Sequence, residues 1–360
     1  MKLARLGGAA LTALTALALA SDDALVHHSA EGTTLARTAS ITIDLDLVDL
    51  ALFEDGEAID PSTVDPAWTT AGLSVDGSAR FEWSDHYERT TAGRALAFTR
   101  TLEQVVVDGR AQRDDDAGPL TVAFGWDAEG GAYLRRVRSG GEVAAADERL
   151  AALMRVDADH ADLLDEGPPR AGDRYEVELA PDGVAALVLP LVDGQRFARA
   201  VAPGSTDLRS TDLRSTTLGP DAEFIGLSVE RLAGAFDEAT LTLVHEGVRT
   251  DPDTGRDIAN AKVLVDLTGR VRVRDLVPDH LTAGGTPFIG STLELTGEGE
   301  FAWDLAGHHL HHLRLPLDVA LTVSVQSGTP IGDEGAFVMS DVGSAAWEGR
   351  LELEHATRRR

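Results

Sequence analysis

The sequence predicts a mainly β protein built from long antiparallel curved sheets, of β-sandwich or half-barrel type, with one or two short helices. Three observations favour this class: apolar and polar residues alternate with a period of two along many segments, helical periodicity is rare, and the composition is globular. The 360 residues are 43% hydrophobic but only 5% aromatic, so the core is expected to consist mainly of Val, Leu and Ala.

The first 20 residues predict a secretory signal peptide. Lys2 and Arg5 form a positive start, an apolar run extends from Leu6 to Leu19, and Ala18-Leu19-Ala20 supplies small residues before Ser21. An uncleaved anchor helix is the alternative, but the run is short for a membrane span, which needs ~18 apolar residues. We therefore expect a secreted or periplasmic protein without a transmembrane span once the signal is removed.

Charge and cysteine content exclude several classes of function. The formal net charge is −28, and such a field repels phosphate backbones, so nucleic acid is not an expected partner. The chain has no cysteine, which excludes disulfides, thiol catalysis and cysteine-ligated metals. The fold must therefore be stabilised by its core.

Alternating segments predict strands in both halves of the chain. In the N-terminal half, Ile41, Ile43, Leu45 and Leu47 alternate with Thr and Asp, and a further strand is predicted at 175–179. Longer alternating segments follow at 263–273, 293–303 and 313–325, and a closing strand is predicted at 347–353. The segment 313–325 would span about 40 Å as a strand, which predicts a large curved sheet. One short helix is predicted near 147–157, where Leu150, Leu153 and Met154 have helical spacing.

A tandem repeat marks the predicted domain boundary. Ser-Thr-Asp-Leu-Arg occurs at 205–209 and again at 210–214, between Pro-Gly and Gly-Pro pairs. We expect a signal peptide at 1–20, an N-terminal β-rich domain at 21–202, a flexible linker at 203–220 and a C-terminal antiparallel β domain at 221–360.

A second repeat links the two halves. The pattern Phe-x-Trp-Asp-x-x-Gly occurs at 124–130 and at 301–307. Each copy predicts a strand that enters a hairpin, with the Asp bonding the turn backbone and the Gly adopting a positive φ. Duplicated β units and coincident turn chemistry both explain the repeat.

Together with the leader and Gly172-Asp173-Arg174-Tyr175, which opens a strand, these hairpins resemble a family type of uncharacterised exported β-rich bacterial proteins. The long amphipathic strands are also similar to those of lipoprotein-carrier folds. That resemblance implies a curved sheet around an apolar cavity, and it implies no individual ligand-binding residue.

Two segments are candidate metal sites. The first comprises His308, His309, His311 and His312, in which imidazoles two residues apart on a strand can share a divalent transition metal such as zinc, although a solvated polar hairpin is the simpler explanation. The second comprises Asp251, Asp253 and Asp257, which resemble an oxygen-ligand calcium loop. Gly255 and Lys262 occupy positions that the full calcium motif gives to acidic or amide residues, so a hairpin tip is the alternative.

Motifs for catalysis and cofactor binding are not found in the sequence. It contains no Gly-x-Ser-x-Gly elbow, His-Glu-x-x-His, phosphate-binding loop or dinucleotide fingerprint, so no catalytic or cofactor-binding residue is assigned. We expect an exported, non-catalytic binding or envelope-associated protein whose partner is an apolar ligand or another exported protein. A secreted hydrolase acting on carbohydrate or ester substrates is the alternative.

Overall fold

The computed structural model describes residues 30–54, 56–64, 74–91, 94–111, 120–127, 132–139, 142–145, 163, 170–179, 239–270, 286–331 and 336–360. The predicted signal peptide at 1–20, the helix at 147–157 and the linker at 203–220 lie outside these residues and remain predictions.

Strands make up most of the described chain. In chain order the elements are β1 (Thr34–Glu54), β2 (Glu57–Ile59), α1 (Pro61–Val64), β3 (Val75–Thr91), β4 (Arg94–Val107), β5 (Arg110–Ala111), β6 (Leu120–Asp127), β7 (Ala132–Ser139), β8 (Glu142–Ala145), β9 (Arg174–Leu179), β10 (Ala239–Thr250), β11 (Asp257–Gly269), β12 (Thr286–Asp304), β13 (His309–Ile331) and β14 (Ala336–Arg359). Within the described ranges there is no long apolar helix of the kind that crosses a bilayer.

All fourteen strands belong to one antiparallel sheet. Its order is β8-β7-β6-β4-β3-β1-β14-β13-β12-β11-β10-β9, with β2 added to β1 and β5 to β4. Most strands pair with their neighbour in sequence, as hairpin connections require. The predicted fold class, mainly β with long antiparallel strands, is confirmed.

The first and last of the described strands, β1 and β14, pair with each other at the centre of the sheet. The register of β1 on β14 runs from Leu35 opposite Arg359 to Leu52 opposite Gly343, with one bulge between Leu47 and Asp49. Strands from both predicted domains therefore belong to one sheet. The predicted boundary at 203–220 lies outside the described residues and remains a prediction.

The alternation predicted from the sequence agrees with the burial of each strand. Ile41, Ile43, Leu45 and Leu47 of β1 are buried, and the residues between Ile41 and Leu47 are exposed. The same pattern continues along β13, which at 23 residues is longer than its predicted segment. The sheet thus has an inner, apolar face and an outer face that carries most of its charges.

The inner face is covered as well as apolar. Leu241, Val263, Leu293 and Leu321, from four strands of the sheet, are at most 1% exposed and belong to one core. One face of a single sheet can be buried only by a second layer, which arises if the sheet curls on itself or if other segments pack on it. Leu163 belongs to the same core, so a segment outside the strands contributes to this layer.

Both copies of the Phe-x-Trp-Asp pattern end a strand, as predicted. β6 ends at Asp127 and β12 at Asp304, and each strand pairs with the next one at the same spacing, Asp127 with Ala132 and Asp304 with His309. The prediction that Gly307 adopts a positive φ is wrong. The positive φ, 52°, belongs to the next residue, His308, because the turn places that residue in the left-handed region.

Candidate functional site

Eight polar side chains are buried in the described structure, and all lie near one end of the sheet. This is the end where β1 and β13 begin and where β12 and β14 end. We call them the polar band: Thr33, Arg37, Asp85, His245, Asp304, His309, His355 and Thr357. Buried polar groups need partners, so a group of them within an apolar core is a candidate binding or catalytic site.

Asp85 is the centre of the first cluster in the band. Its carboxylate lies 2.9 Å from Nε of Arg37 and accepts hydrogen bonds from Arg100 at 2.6 and 2.9 Å. Nε1 of Trp83 donates a third, longer bond of 3.3 Å. Burial alone would raise the pKa of Asp85, but the charges of Arg100 and Arg37 outweigh it, so the pKa lies below its usual value.

Aromatic rings surround these charges. The guanidinium of Arg100 lies 5.6 Å from the ring centre of Trp83 and 5.8 Å from that of Phe98. Nη2 of Arg37 donates a 2.9 Å hydrogen bond to the hydroxyl of Tyr87, whose ring stacks on Phe98. Burial raises the pKa of Tyr87, so its hydroxyl stays protonated at neutral pH. This cluster forms where β1, β3 and β4 adjoin.

Asp304 is the centre of the second cluster, between the β10–β11 and β12–β13 hairpins. Its carboxylate accepts hydrogen bonds from Nη1 of Arg256 and from the backbone N–H of Gly307, both at 2.6 Å. This bond to the turn backbone is the one predicted for the Asp of the repeat. Burial opposes ionisation of Asp304, but these donors and nearby His309 outweigh it and lower its pKa.

His309 lies against Asp304 as a neutral imidazole. Its Nδ1 is 2.9 Å from the carbonyl oxygen of Leu310, which can only accept, so Nδ1 carries the hydrogen. Nε2 is 3.6 Å from the nearer carboxylate oxygen of Asp304. Burial is the main reason that the pKa of His309 falls to about 4. Gly307 packs so closely on this pair that a Cβ there would come within 2.7 Å of both groups.

Several polar atoms of the band lack hydrogen-bond partners within the described chain. They are the hydroxyl oxygens of Thr33 and Thr357 and Nε2 of His309. The hydroxyl of Tyr87 accepts a bond from Arg37 but has no acceptor for its own hydrogen among the same residues. Of these groups, only Tyr87 lies on a strand of the Asp85 cluster, because Thr33 precedes β1, Thr357 lies on β14 and His309 on β13.

The structure places the four candidate histidines in different surroundings. His309 is buried against Asp304, whereas Nε2 of His312 lies 3.3 Å from the exposed carboxylate of Glu354. The expected alternation fails here because β13 bulges opposite Ala302 and Trp303, and His311 is the extra residue that has no partner in the register. His308 forms the turn.

The candidate calcium loop is the tip of the β10–β11 hairpin. Both carboxylate oxygens of Asp251 accept hydrogen bonds from the loop itself, one from the N–H of Asp253 and one from the hydroxyl of Thr254. These hydrogen bonds lower the pKa of Asp251, and the bond from Thr254 has the largest effect. Asp257 accepts a bond from Thr250 at 2.8 Å.

The two candidate metal segments lie side by side at the polar end of the sheet. Burial lowers the pKa of His311, and the negative charge of Asp251 partly offsets that effect. In the described part of the chain, no group of three or more His, Asp and Glu side chains is arranged to hold a metal ion. Zinc at the histidines and calcium at the aspartates remain predictions.

Sequence reasoning missed the Asp85 cluster, although a signal for it was present. Arg37 occupies an inward position of β1 between Leu35 and Ala39, and Asp85 occupies one between Trp83 and Tyr87 on β3. A charged residue at an apolar position of an alternating strand marks a buried ion pair or a site. The cross-strand register that brings Arg37 to Asp85 could not be read from either segment alone.

Comparison with known proteins identifies no family. No protein-family model matches the chain. No curated protein matches it either. Among solved structures, the crystal structure of a Pseudomonas aeruginosa FadL homologue aligns over 89% of each chain, with 10% sequence identity and a TM-score of 0.16. A TM-score this low does not establish a common fold.

Proposed function

We propose that this protein is an exported, non-catalytic binding protein that holds an apolar molecule against the inner face of its sheet. The observation that carries the proposal is the separation of the two faces. Inner residues such as Leu293 and Leu321 are fully buried, whereas outer residues such as Glu294 and Thr322 are exposed. A sheet of this kind offers an apolar interior while its outer face remains in water.

The width of the sheet supports this proposal. The main path of this sheet has twelve strands. The buried side chains of the described residues are mostly Leu, Val and Ala, so the surface that a bound molecule would contact is apolar.

Charge on the outer face agrees with a sheet whose outer face lies in water. Exposed residues pair across strands, for example Arg314 with Glu352 at 2.6 Å and Lys262 with Glu298. Exposed pairs of this kind contribute little to stability but keep a surface hydrated. Export itself is proposed from the leader sequence at 1–20.

A titration with Nile red, an apolar dye that fluoresces out of water, tests the function. The delipidated protein should bind Nile red saturably, and the emission of the bound dye should shift to the blue. Leu321→Trp adds bulk to the inner face and should lower the affinity by about threefold or more, since a filled interior leaves less room.

Thr322→Trp is the matched control, because it adds the same side chain at the next residue, on the outer face. Dye binding by this variant should equal that of the wild type. The proposal fails if the wild type does not bind Nile red saturably, or if both variants change binding equally.

A further inference from the structure

We propose that the first residues of β14 bind an extended peptide segment with basic ends, which adds a strand to the sheet. We call residues 336–342 the β14 edge. This site is an edge of the sheet and not its inner face, so it does not depend on the apolar ligand of the proposed function. It adds a second binding surface and a chemical class of partner.

The β14 edge has a neighbouring strand on one side only. Within the described chain, residues 336–341 pair with residues 326–331 of β13. Their other side is unpaired among the same described residues, because the register of β1 on β14 ends at Leu52 opposite Gly343. Alternate residues of an antiparallel strand direct their N–H and C=O groups to opposite sides, so some of these groups point away from β13. Such a row of unpaired backbone groups pairs readily with another extended chain.

Exposure of both faces favours addition of a strand at the edge over packing of a partner on one face. Val338, Met339, Ser340 and Asp341 are consecutive, and all four are exposed, Val338 by 50% and Met339 by 40%. Successive side chains of a strand point to opposite faces, so both faces of this segment are open to solvent. The side chains of an added strand alternate in the same way and would contact these residues on both faces.

Charge near the β14 edge favours a basic partner. The sequence has no Lys or Arg from 315 to 349, whereas it has five acidic residues there, one of which is Asp341. Glu54, at the end of β1 and beyond its last pair with β14, is acidic and exposed as well. A second copy of the chain would bring the same acidic residues together, and like charges across an interface are unfavourable. A peptide with Lys or Arg at its ends would complement them.

Fluorescence anisotropy with labelled peptides tests the site. The peptide Lys-Val-Thr-Val-Thr-Val-Lys has strand-forming residues between basic ends, and Glu-Val-Thr-Val-Thr-Val-Glu has the same centre between acidic ends. We expect the Lys peptide to bind the wild type saturably and the Glu peptide to bind about tenfold more weakly or less. A third peptide, Lys-Val-Pro-Val-Pro-Val-Lys, keeps the basic ends but lacks two backbone N–H groups. It should also bind about tenfold more weakly or less, because proline cannot donate to a neighbouring strand.

Asp341→Lys reverses a charge on the β14 edge at an exposed position, so the variant should fold. It should weaken binding of the Lys peptide by about threefold or more and strengthen binding of the Glu peptide. Glu294→Lys is the matched control, because it changes the net charge equally at an exposed residue of β12 that has strand partners on both sides. It should alter neither affinity.

Three results would overturn the proposal: the Lys peptide does not bind saturably, the Pro peptide binds as tightly as the Lys peptide, or Asp341→Lys and Glu294→Lys have equal effects. A wild type that forms dimers in analytical ultracentrifugation and does not bind the Lys peptide would favour a second copy of the chain at this edge. None of these results concerns Nile red, so the proposed function stands or fails by its own titration.

Discussion

Asp85 occupies an inward position on β3 where an apolar side chain would pack without any cost of desolvation. Two guanidiniums and an indole N–H compensate its charge, so the ionised form is retained inside the core. Replacing a complete buried ion cluster by apolar groups is often neutral or stabilising, whereas removing one partner is strongly destabilising. The cluster therefore points to a role other than stability.

Asp85→Asn should destabilise the fold by about 3–5 kcal/mol, because it removes the buried charge that both Arg37 and Arg100 contact. Chemical denaturation followed by circular dichroism measures the free energy of unfolding. Asp76→Asn makes the same change at an exposed position of the same strand and should cost less than about 0.5 kcal/mol. Similar losses in the two variants would contradict the buried pairing.

His309 should make stability depend on pH between about 6.5 and about 4. Its pKa is lower in the folded state than in the unfolded state, so the unfolded chain takes up a proton first as the pH falls. Folding therefore loses stability across this window, by about 3 kcal/mol in full. The buried carboxylates Asp85 and Asp304 have lowered pKa values, and their contribution is lost only below about 3.8.

Unfolding free energies measured from pH 7 to pH 4 in the wild type and in His309→Gln check this effect. The variant should be less stable at pH 7, because Gln does not reproduce the contacts of the ring, but its stability should fall less towards pH 4. Parallel curves for the two proteins would show that another group causes the pH dependence.

At the level of strands, the alternation of apolar and polar residues predicted which side chains face inward on most of β1 and β13. It did not predict side-chain orientation where the pairing of two strands is irregular. The inward and outward residues of β1 and β13 were correctly predicted because a buried face imposes a strict period of two. The orientation of His311 was not predictable, because His311 is the extra residue of a bulge that appears only when β13 pairs with β12. The positive φ at His308 depends likewise on turn geometry that residue types alone do not specify.

Gly349 on β14 is a position where the pairing of two strands leaves no room for a side chain. It lies opposite Leu45 of β1, and a Cβ there would overlap the carbonyl oxygen of Asp44 and come within 2.8 Å of Cα of Leu45. Because both atoms belong to the backbone of β1, relief would require the two strands to move apart.

Gly349→Ala should therefore destabilise the protein by about 1–3 kcal/mol, the usual cost of overpacking. Gly125→Ala, within β6, is the matched control, since a Cβ there meets nothing within 4 Å. That variant should be neutral or more stable by up to about 1 kcal/mol, because alanine reduces the entropy of the unfolded chain. Thermal denaturation of both variants compares them, and a Gly349→Ala protein as stable as Gly125→Ala would refute the close approach.

For the molecule as a whole, the sequence could not show which strands are neighbours. The same apolar and polar alternation occurs on β1, β12, β13 and β14, and it specifies a face without specifying a partner. The pairing of β1 with β14 joins residues that are 324 positions apart at Leu35 and Arg359 and 291 apart at Leu52 and Gly343. The polar band depends on that pairing, because Arg37 and Thr357 come from opposite ends of the chain.

The topology also predicts how a cleaved protein behaves. A cut between Arg209 and Ser210, in the repeat of the predicted linker, falls between β9 and β10. The N-terminal fragment would retain β1 and β9, and the C-terminal fragment would retain their partners β14 and β10. The backbone hydrogen bonds of the β1–β14 and β9–β10 pairs, together with a shared core, would then hold the fragments together.

We therefore expect a protein with a specific protease site inserted after Arg209 to elute as one species on size-exclusion chromatography after complete cleavage. The two fragments should separate only in guanidinium chloride, because the β1–β14 seam contributes inward residues such as Leu45 and Trp347 to the same core. Uncleaved protein carrying the same insertion is the control for any effect of the inserted residues. Separation of the fragments in native buffer would show that residues 21–202 and 221–360 fold as independent domains and that the β1–β14 seam does not hold them together.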